Sequence, residues 1–275
     1  MRAPAAGASP QPRRDPGLAA FLEDVYAACG RAGRLRSDPL ALVAPFSDPA
    51  DRELAALVCS TLAFGSVRLI MRACREALGP LGPRPASALD AMGETVIART
   101  WSGFQYRYCF AKDISALMLA AGRARAEAGS LLVFFRSADP GGPDLAGAAS
   151  AFVRGLGRLG AARMRPGLLA DPAGGSACKR IFLMLRWLVR RDAVDPGGWE
   201  ELGRERLVVP LDTHMARVCS ERLGFIRSPA PTLANALAAT AAFRLYAPED
   251  PVKYDFALTR PGIDPEPGDE RFGCD

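Results

Sequence analysis

The chain is 275 residues long, 49% apolar and 24% charged, with a formal net charge of +5. Such a balance belongs to a globular chain and excludes an intrinsically disordered one. No apolar run reaches the roughly 18 residues that a membrane span needs, and the mild positive excess, mostly arginine, permits a polyanionic partner without demanding one.

Residues 1–16 are rich in Pro, Ala and Arg and read as a disordered tail. From residue 17 to residue 265 the apolar spacing is helical almost throughout. "GLAAFLEDVYAACG" places Leu18, Phe21, Leu22 and Val25 on one face and stops at Gly30. In the next segment Asp48 stands as cap and Pro49 at the first helical position, and Leu54, Leu57, Val58 and Leu62 share a stripe. Gly65 breaks that helix before a second one over 66–78. An irregular stretch, "WSGFQYRYCFAK", precedes helix from Asp113, and a further helix runs near 145–159. "GGSACKRIFLMLRWLVRR" reads as a glycine-rich entry, Ser176 as cap, and a strongly apolar helix. Asp212 caps the helix that runs to Leu223, and another helix covers about 232–246. Asp250 and Pro251 then read as the cap and first position of the last helix. Residues 266–275 read as a flexible tail. Alternating β-branched runs are nearly absent, so the fold expected is all-α.

The seven cysteines are dispersed, with no Cys-x-x-Cys pair, and an odd count without an apolar leader argues against a disulfide framework. A cytoplasmic protein is expected. A structural iron–sulfur centre needs four closely spaced thiolates and a catalytic zinc needs three protein ligands. One histidine and scattered cysteines supply neither, so no metal cluster and no cofactor is expected.

"VVPLDTHMARVCSERLG" holds that single histidine, His214, with Asp212 two residues before it. A carboxylate at a helix start accepts backbone N–H groups and faces the positive end of the dipole. It is thereby kept ionised, which suits a simple cap and also a group that accepts a proton or stabilises a cation. Lys179 stands at the start of "KRIFLMLRW". An amine at the positive end of a helix is disfavoured as an ammonium and more available as a nucleophile; a phosphate-contacting Lys-Arg pair is the plainer alternative. In "WSGFQYRY", aromatic residues interleave with arginine, which suits base stacking beside phosphate contacts as well as an ordinary core cluster.

The block Pro-Leu-Asp-Thr-His, an apolar residue, then Ala-Arg-Val and later Glu-Arg-Leu-Gly, resembles the segment around the catalytic aspartate of helix–hairpin–helix DNA glycosylases such as endonuclease III. "RELAALVCSTLAFGSVRLIMRACREALGPLG" is similar to the N-terminal helix pair of that superfamily, and Lys179 resembles the nucleophilic lysine of archaeal 8-oxoguanine glycosylases. "WSGFQYRY", "SACKRIFLMLRWLVR", "VVPLDTHMARV" and "DPVKYDFAL" more closely resemble a bacterial family catalogued as domain of unknown function 2400, over roughly residues 37 to 263. The glycosylase hairpin Leu-Pro-Gly-Val-Gly has no counterpart here; its window, "RRDAVDPGGWEELGRERLV", keeps only Gly197-Gly198.

The resemblance implies a two-lobed, glycosylase-like helical fold with a degenerate or absent hairpin, and DNA as partner. It implies a base-excision activity in which Lys179 attacks the sugar and Asp212 accepts its proton. Trp101, Phe104 or Tyr106 would then stack on a flipped base, and Arg107, Arg180 and Arg186 are the candidate phosphate contacts. Thr213 and His214 would join the nucleic-acid contacts beside Asp212. The alternative is a non-catalytic helical module, binding nucleic acid or protein, that keeps the scaffold and uses Asp212 only as a cap.

Overall fold

The computed structural model describes residues 14–160, 164–165 and 167–272. Twelve α-helices lie among the described residues. They begin with α1 (Pro16–Cys29), α2 (Pro49–Thr61), α3 (Val67–Leu78), α4 (Pro85–Asp90) and α5 (Glu94–Thr100). A two-stranded hairpin, β1 (Gln105–Tyr106) and β2 (Cys109–Phe110), pairs Gln105 with Phe110 and Tyr106 with Cys109. Next come α6 (Ala111–Ala128), α7 (Leu131–Ser137), α8 (Ala146–Leu159) and α9 (Lys179–Val189). The chain closes with α10 (Thr213–Arg217), α11 (Leu233–Arg244) and α12 (Asp255–Ile263). The fold is all-α apart from that hairpin, as the spacing predicts.

Helix ends follow their local chemistry. Asp15 caps α1 by accepting from Leu18 N, and Asp48 caps α2 by accepting from Ala50 N and Asp51 N, each ahead of a proline. The predicted tail over 1–16 therefore gives way to structure by Asp15, and residues 1–13 lie outside the described part. Two capping expectations fail. Ser176 stands two residues before the true cap of α9, Cys178, and its hydroxyl accepts from Cys178 N at 3.4 Å. Asp250 does not open the last helix, which starts at Asp255; its carboxylate instead binds Arg190 Nε at 3.0 Å.

The core organises around two helices apolar on nearly every side. All residues of α9 from Ile181 to Val189 are buried, and α2 packs along it with Leu54 to Thr61 buried. On one flank α6 lies against α7 and α8; on another α12 joins α1 and α10. Residues 266–272, read from the sequence as the start of a tail, are in place as well. Asp269 is buried and pairs with the fully buried Arg34, and the Phe272 ring meets Phe21 edge-on at 6.3 Å.

Charge is also buried beside α9. Arg186 donates from Nε and Nη2 to Asp195 and from Nη1 to Asp255 at 2.6 Å. Arg190 reaches Asp195, Asp192 and Asp250. This network anchors α9 to α12 and to the loop after α9. Between Arg190 and Asp212 the chain makes short 3-10 turns, with Gly197 and Gly198 in positive-φ conformations.

Candidate active site

Two helix starts converge on one cleft. The segment Pro172–Cys178 turns through Gly175, in the left-handed region, and is tied to the start of α11. Ala177 N donates to Pro231 O at 3.0 Å, and Gly175 O accepts from Leu233 N at 2.9 Å. Cys178 then takes φ +45°, ψ +40°, rare for a residue with a side chain. That kink launches α9 with Lys179 as its first residue. Asp212 is extended and accepts from Met215 N at 2.8 Å, the geometry of a true N-cap.

The Lys179 ammonium lies 2.8 Å from the second Asp212 oxygen, Oδ2. The Asp212 carboxylate thus uses one oxygen for the helix and presents the other to the lysine. Their side chains are 34% and 29% exposed, so the pair is neither sealed in the core nor fully hydrated. Burial pushes the Asp212 carboxyl up, but the Lys179 ammonium and the Met215 N–H outweigh it and hold the group below the usual aspartate value.

Both residues line a cleft of about 740 Å³. Its other walls include Asp38, Phe64, Arg180, His214, Asp255 and Arg260, brought from five parts of the chain. Asp255 supplies a second carboxylate. Burial raises its pKa, Arg186 opposes this, and the nearby Asp212 charge adds a further upward push.

The aromatic wall is made differently from the sequence expectation. Trp101 is only 2% exposed and its indole N–H donates to Ala77 O at 3.0 Å. Phe104 and Tyr106 are also buried, and the Tyr106 hydroxyl donates to Phe64 O. Rings packed in a core cannot stack on an incoming base without unfolding that core, so the stacking role is withdrawn for Trp101, Phe104 and Tyr106. Phe64 takes the position at the cleft instead. Tyr108 stacks on it with centroids 4.5 Å apart, and the Arg180 guanidinium covers it at 5.2 Å.

The arginines separate in the same way. Arg186 is buried and satisfied by Asp195 and Asp255, so a phosphate contact is excluded in this arrangement. Arg180 is half-buried and donates to Thr61 O and Gly167 O, which makes it a structural clamp at the cleft edge. Arg107 is exposed in the hairpin turn at φ +51° and remains open to an anion. Thr213 is exposed beside Asp212, whereas His214 is half-buried against Gly262.

Sequence reasoning missed Phe64, Asp38, Asp255 and Arg260. The first two had no motif signal. Asp255 and Arg260 stand in "DPVKYDFALTRPG", where Asp250 was read as a helix cap and no site residue was singled out. Gly65 holds this wall together: its φ is +105°, and a Cβ there would meet the Tyr106 hydroxyl at 2.8 Å and Arg107 Nη1 at 2.9 Å. Gly65→Ala is expected to cost about 1–3 kcal/mol of stability. An unchanged denaturation midpoint would show that the turn relaxes freely.

Among the described residues no group of three or more His, Cys, Asp or Glu side chains is placed to hold a metal ion, and no helix is long and apolar enough to cross a membrane. Residues 38–264 match the model of a family described as "protein of unknown function (DUF2400)", and the chain belongs to that family. No curated protein and no solved structure matches it.

Proposed function

We propose that this DUF2400 protein is a DNA base-excision glycosylase with lyase activity, built on a glycosylase-like helical scaffold, with Lys179 as nucleophile and Asp212 as its proton acceptor. The observation that carries the reading is the 2.8 Å contact between Lys179 Nζ and Asp212 Oδ2 in a cleft, between residues far apart in sequence. A nucleophile and base within hydrogen-bond reach, with the base oriented by a third group, is the arrangement covalent catalysis requires. Here the third group is the Met215 N–H, which fixes the carboxylate.

The chemistry balances with these two residues. Asp212 takes a proton from Lys179, and the freed amine forms a bond to C1′ of a flipped nucleotide as the bond to the base breaks. The base leaves with the bonding electrons and takes the proton back from Asp212. Opening of the sugar ring gives an imine between Lys179 and C1′, and that imine permits strand cleavage by elimination. Once the base has taken that proton, the ionised carboxylate again faces the cationic nitrogen now bonded to C1′ and stabilises it. Phe64 is the aromatic residue of the cleft wall, and a base would stack on it in place of the Arg180 guanidinium that covers it.

The test is reduction with borohydride in the presence of duplexes that carry abasic sites or damaged bases. A covalent protein–DNA adduct that depends on Lys179 supports the reading; its absence on every duplex overturns the lyase step. The second reading, a non-catalytic binding module, draws on the link between α9 and α10, which is a run of 3-10 turns instead of a helix–hairpin–helix. On that reading the Lys179–Asp212 pair is a helix-start ion pair only.

If DNA is the partner, affinity should fall steeply with salt, because each phosphate contact releases condensed counterions. Arg107→Ala should reduce the slope of log K against log salt by about one. Arg180→Ala should do more harm to the cleft edge than to the slope, since its guanidinium is already engaged. Binding that ignores salt would point away from nucleic acid.

A further inference from the structure

The cleft wall contains buried polar atoms that the fold does not use. Among the described residues six buried side-chain nitrogens lack a hydrogen-bond partner, and three of them belong to two residues of this cleft: His214 Nε2, Arg260 Nε and Arg260 Nη1. Native structures leave few such groups unpaired, so a cluster of them in one place asks for a cause. Arg260 is 3% exposed. Its guanidinium carbon lies over the Phe256 ring, 4.4 Å from the centroid, and Nη2 lies 3.2 Å from Asp38. That leaves Nε and Nη1 as oriented donors. His214 is fixed from the same side, because its ring rests on Gly262: a Cβ there would lie 2.5 Å from Cε1 and 2.9 Å from Nε2.

We propose that this part of the cleft wall is a recognition subsite in which Arg260 and His214 hold a neutral, planar heterocycle by an edge that carries a carbonyl oxygen and a ring nitrogen. An arginine only donates, so its partner must be an acceptor; a histidine nitrogen accepts or donates according to its tautomer. The charge balance argues against phosphate. Three cations of the cleft already face a carboxylate: Arg260 has Asp38, Arg186 has Asp255 and Lys179 has Asp212, while the fourth, Arg180, is engaged by the Thr61 and Gly167 carbonyls. A dianion would meet those three carboxylates against a surplus of one positive charge, whereas a neutral acceptor edge takes up an unused N–H at no such cost. The inference deepens the base-excision reading and rests on it for the identity of the heterocycle, the nucleobase released beside Lys179.

The single histidine makes the test specific. In tag-free, full-length protein labelled with 15N-histidine, the only imidazole nitrogen signals belong to His214. Titration with free hypoxanthine or uracil is expected to shift the Nε2 signal saturably, and indole, which has no carbonyl, is expected to leave it unmoved. Arg260→Lys should weaken that affinity at least tenfold, with folding checked by circular dichroism. Gly262→Ala, whose added Cβ would meet the imidazole first, should remove the shift. The subsite is overturned if neither base shifts the signal, if inorganic phosphate alone does so, if indole matches the bases, or if folded Arg260→Lys binds like the parent. A protein that traps on abasic DNA but shows no base-induced shift loses the subsite and keeps the lyase reading. One that takes up free base but never traps loses the lyase reading and keeps the subsite.

Discussion

Lys179→Gln is expected to abolish borohydride trapping completely while leaving the helical fold in place. The amide of glutamine forms no imine, and the lost ion pair is partly exposed, so its removal costs no more than about 1 kcal/mol. Asp212→Asn separates the two roles of the carboxylate. Its side-chain oxygen still accepts from Met215 N, so the cap survives with a loss of less than about 1 kcal/mol. Turnover on any substrate should nevertheless fall by orders of magnitude, about a hundredfold or more, because the amide neither takes the lysine proton nor offsets the cationic nitrogen bonded to C1′. Full turnover by the Asn variant on an identified substrate would refute the proton-transfer role.

The same variant has a signature in acid. The folded Asp212 carboxyl sits below the ordinary value of 3.8, so its ionised form stabilises the fold above that pH. The contribution is lost as pH falls through the lowered value. Parent and Asp212→Asn should therefore differ in denaturation midpoint at neutral pH and converge in strong acid. A gap that widens on acidification would contradict the cause assigned to the shift.

The second large effect is on stability. Arg186→Met keeps much of the side-chain volume but removes the cation that faces Asp195 and Asp255, both buried. Breaking a buried pair by removing one partner typically costs about 3–5 kcal/mol, since the charge left behind has neither water nor a counter-ion. Against a usual total of about 5–15 kcal/mol, this variant should sit near the edge of folding. Urea denaturation followed by circular dichroism reads the change, and a loss under about 1 kcal/mol would mean that water or Arg190 replaces the missing partner. Asp255 also lines the cleft, so Arg186→Met should disturb the site even in the fraction that folds.

Legibility in the sequence followed the range of the interactions. Helices α2, α8, α9 and α11 were readable because a 3.6-residue apolar period lies within each segment, reinforced in α2 by the Asp48 cap and Pro49 and in α11 by the Thr232 cap. Asp212 as a cap was readable for the same reason, as was Lys179 at a helix start. The failures lie where partners are distant. Asp250 looks like a cap in "EDPVKY", yet the buried Arg190, sixty positions upstream, claims its carboxylate. Trp101, Phe104 and Tyr106 look available beside arginines, yet Ala77 and Phe64 use their polar atoms and the core takes their rings. Arg186, a candidate phosphate contact on a strongly apolar helix, is claimed by Asp195 and Asp255, which only the folded chain sets around it.

By itself the sequence determined an all-helical chain with few exceptions, the ends of the helices that carry a strong local period, and the two helix-start residues worth testing. Tertiary structure alone decided that Lys179 and Asp212 meet, that Phe64 lines the cleft while Trp101, Phe104 and Tyr106 lie in the core, and that Asp255, Arg260 and Asp38 share the same cleft. The reason is physical. Apolar period and capping are local, set by 3.6 residues per turn and by orphan N–H groups at each helix start. Which helix ends come together depends instead on how α2, α9 and α12 pack and on which buried charges must be neutralised, and neither is written in any single stretch of residues.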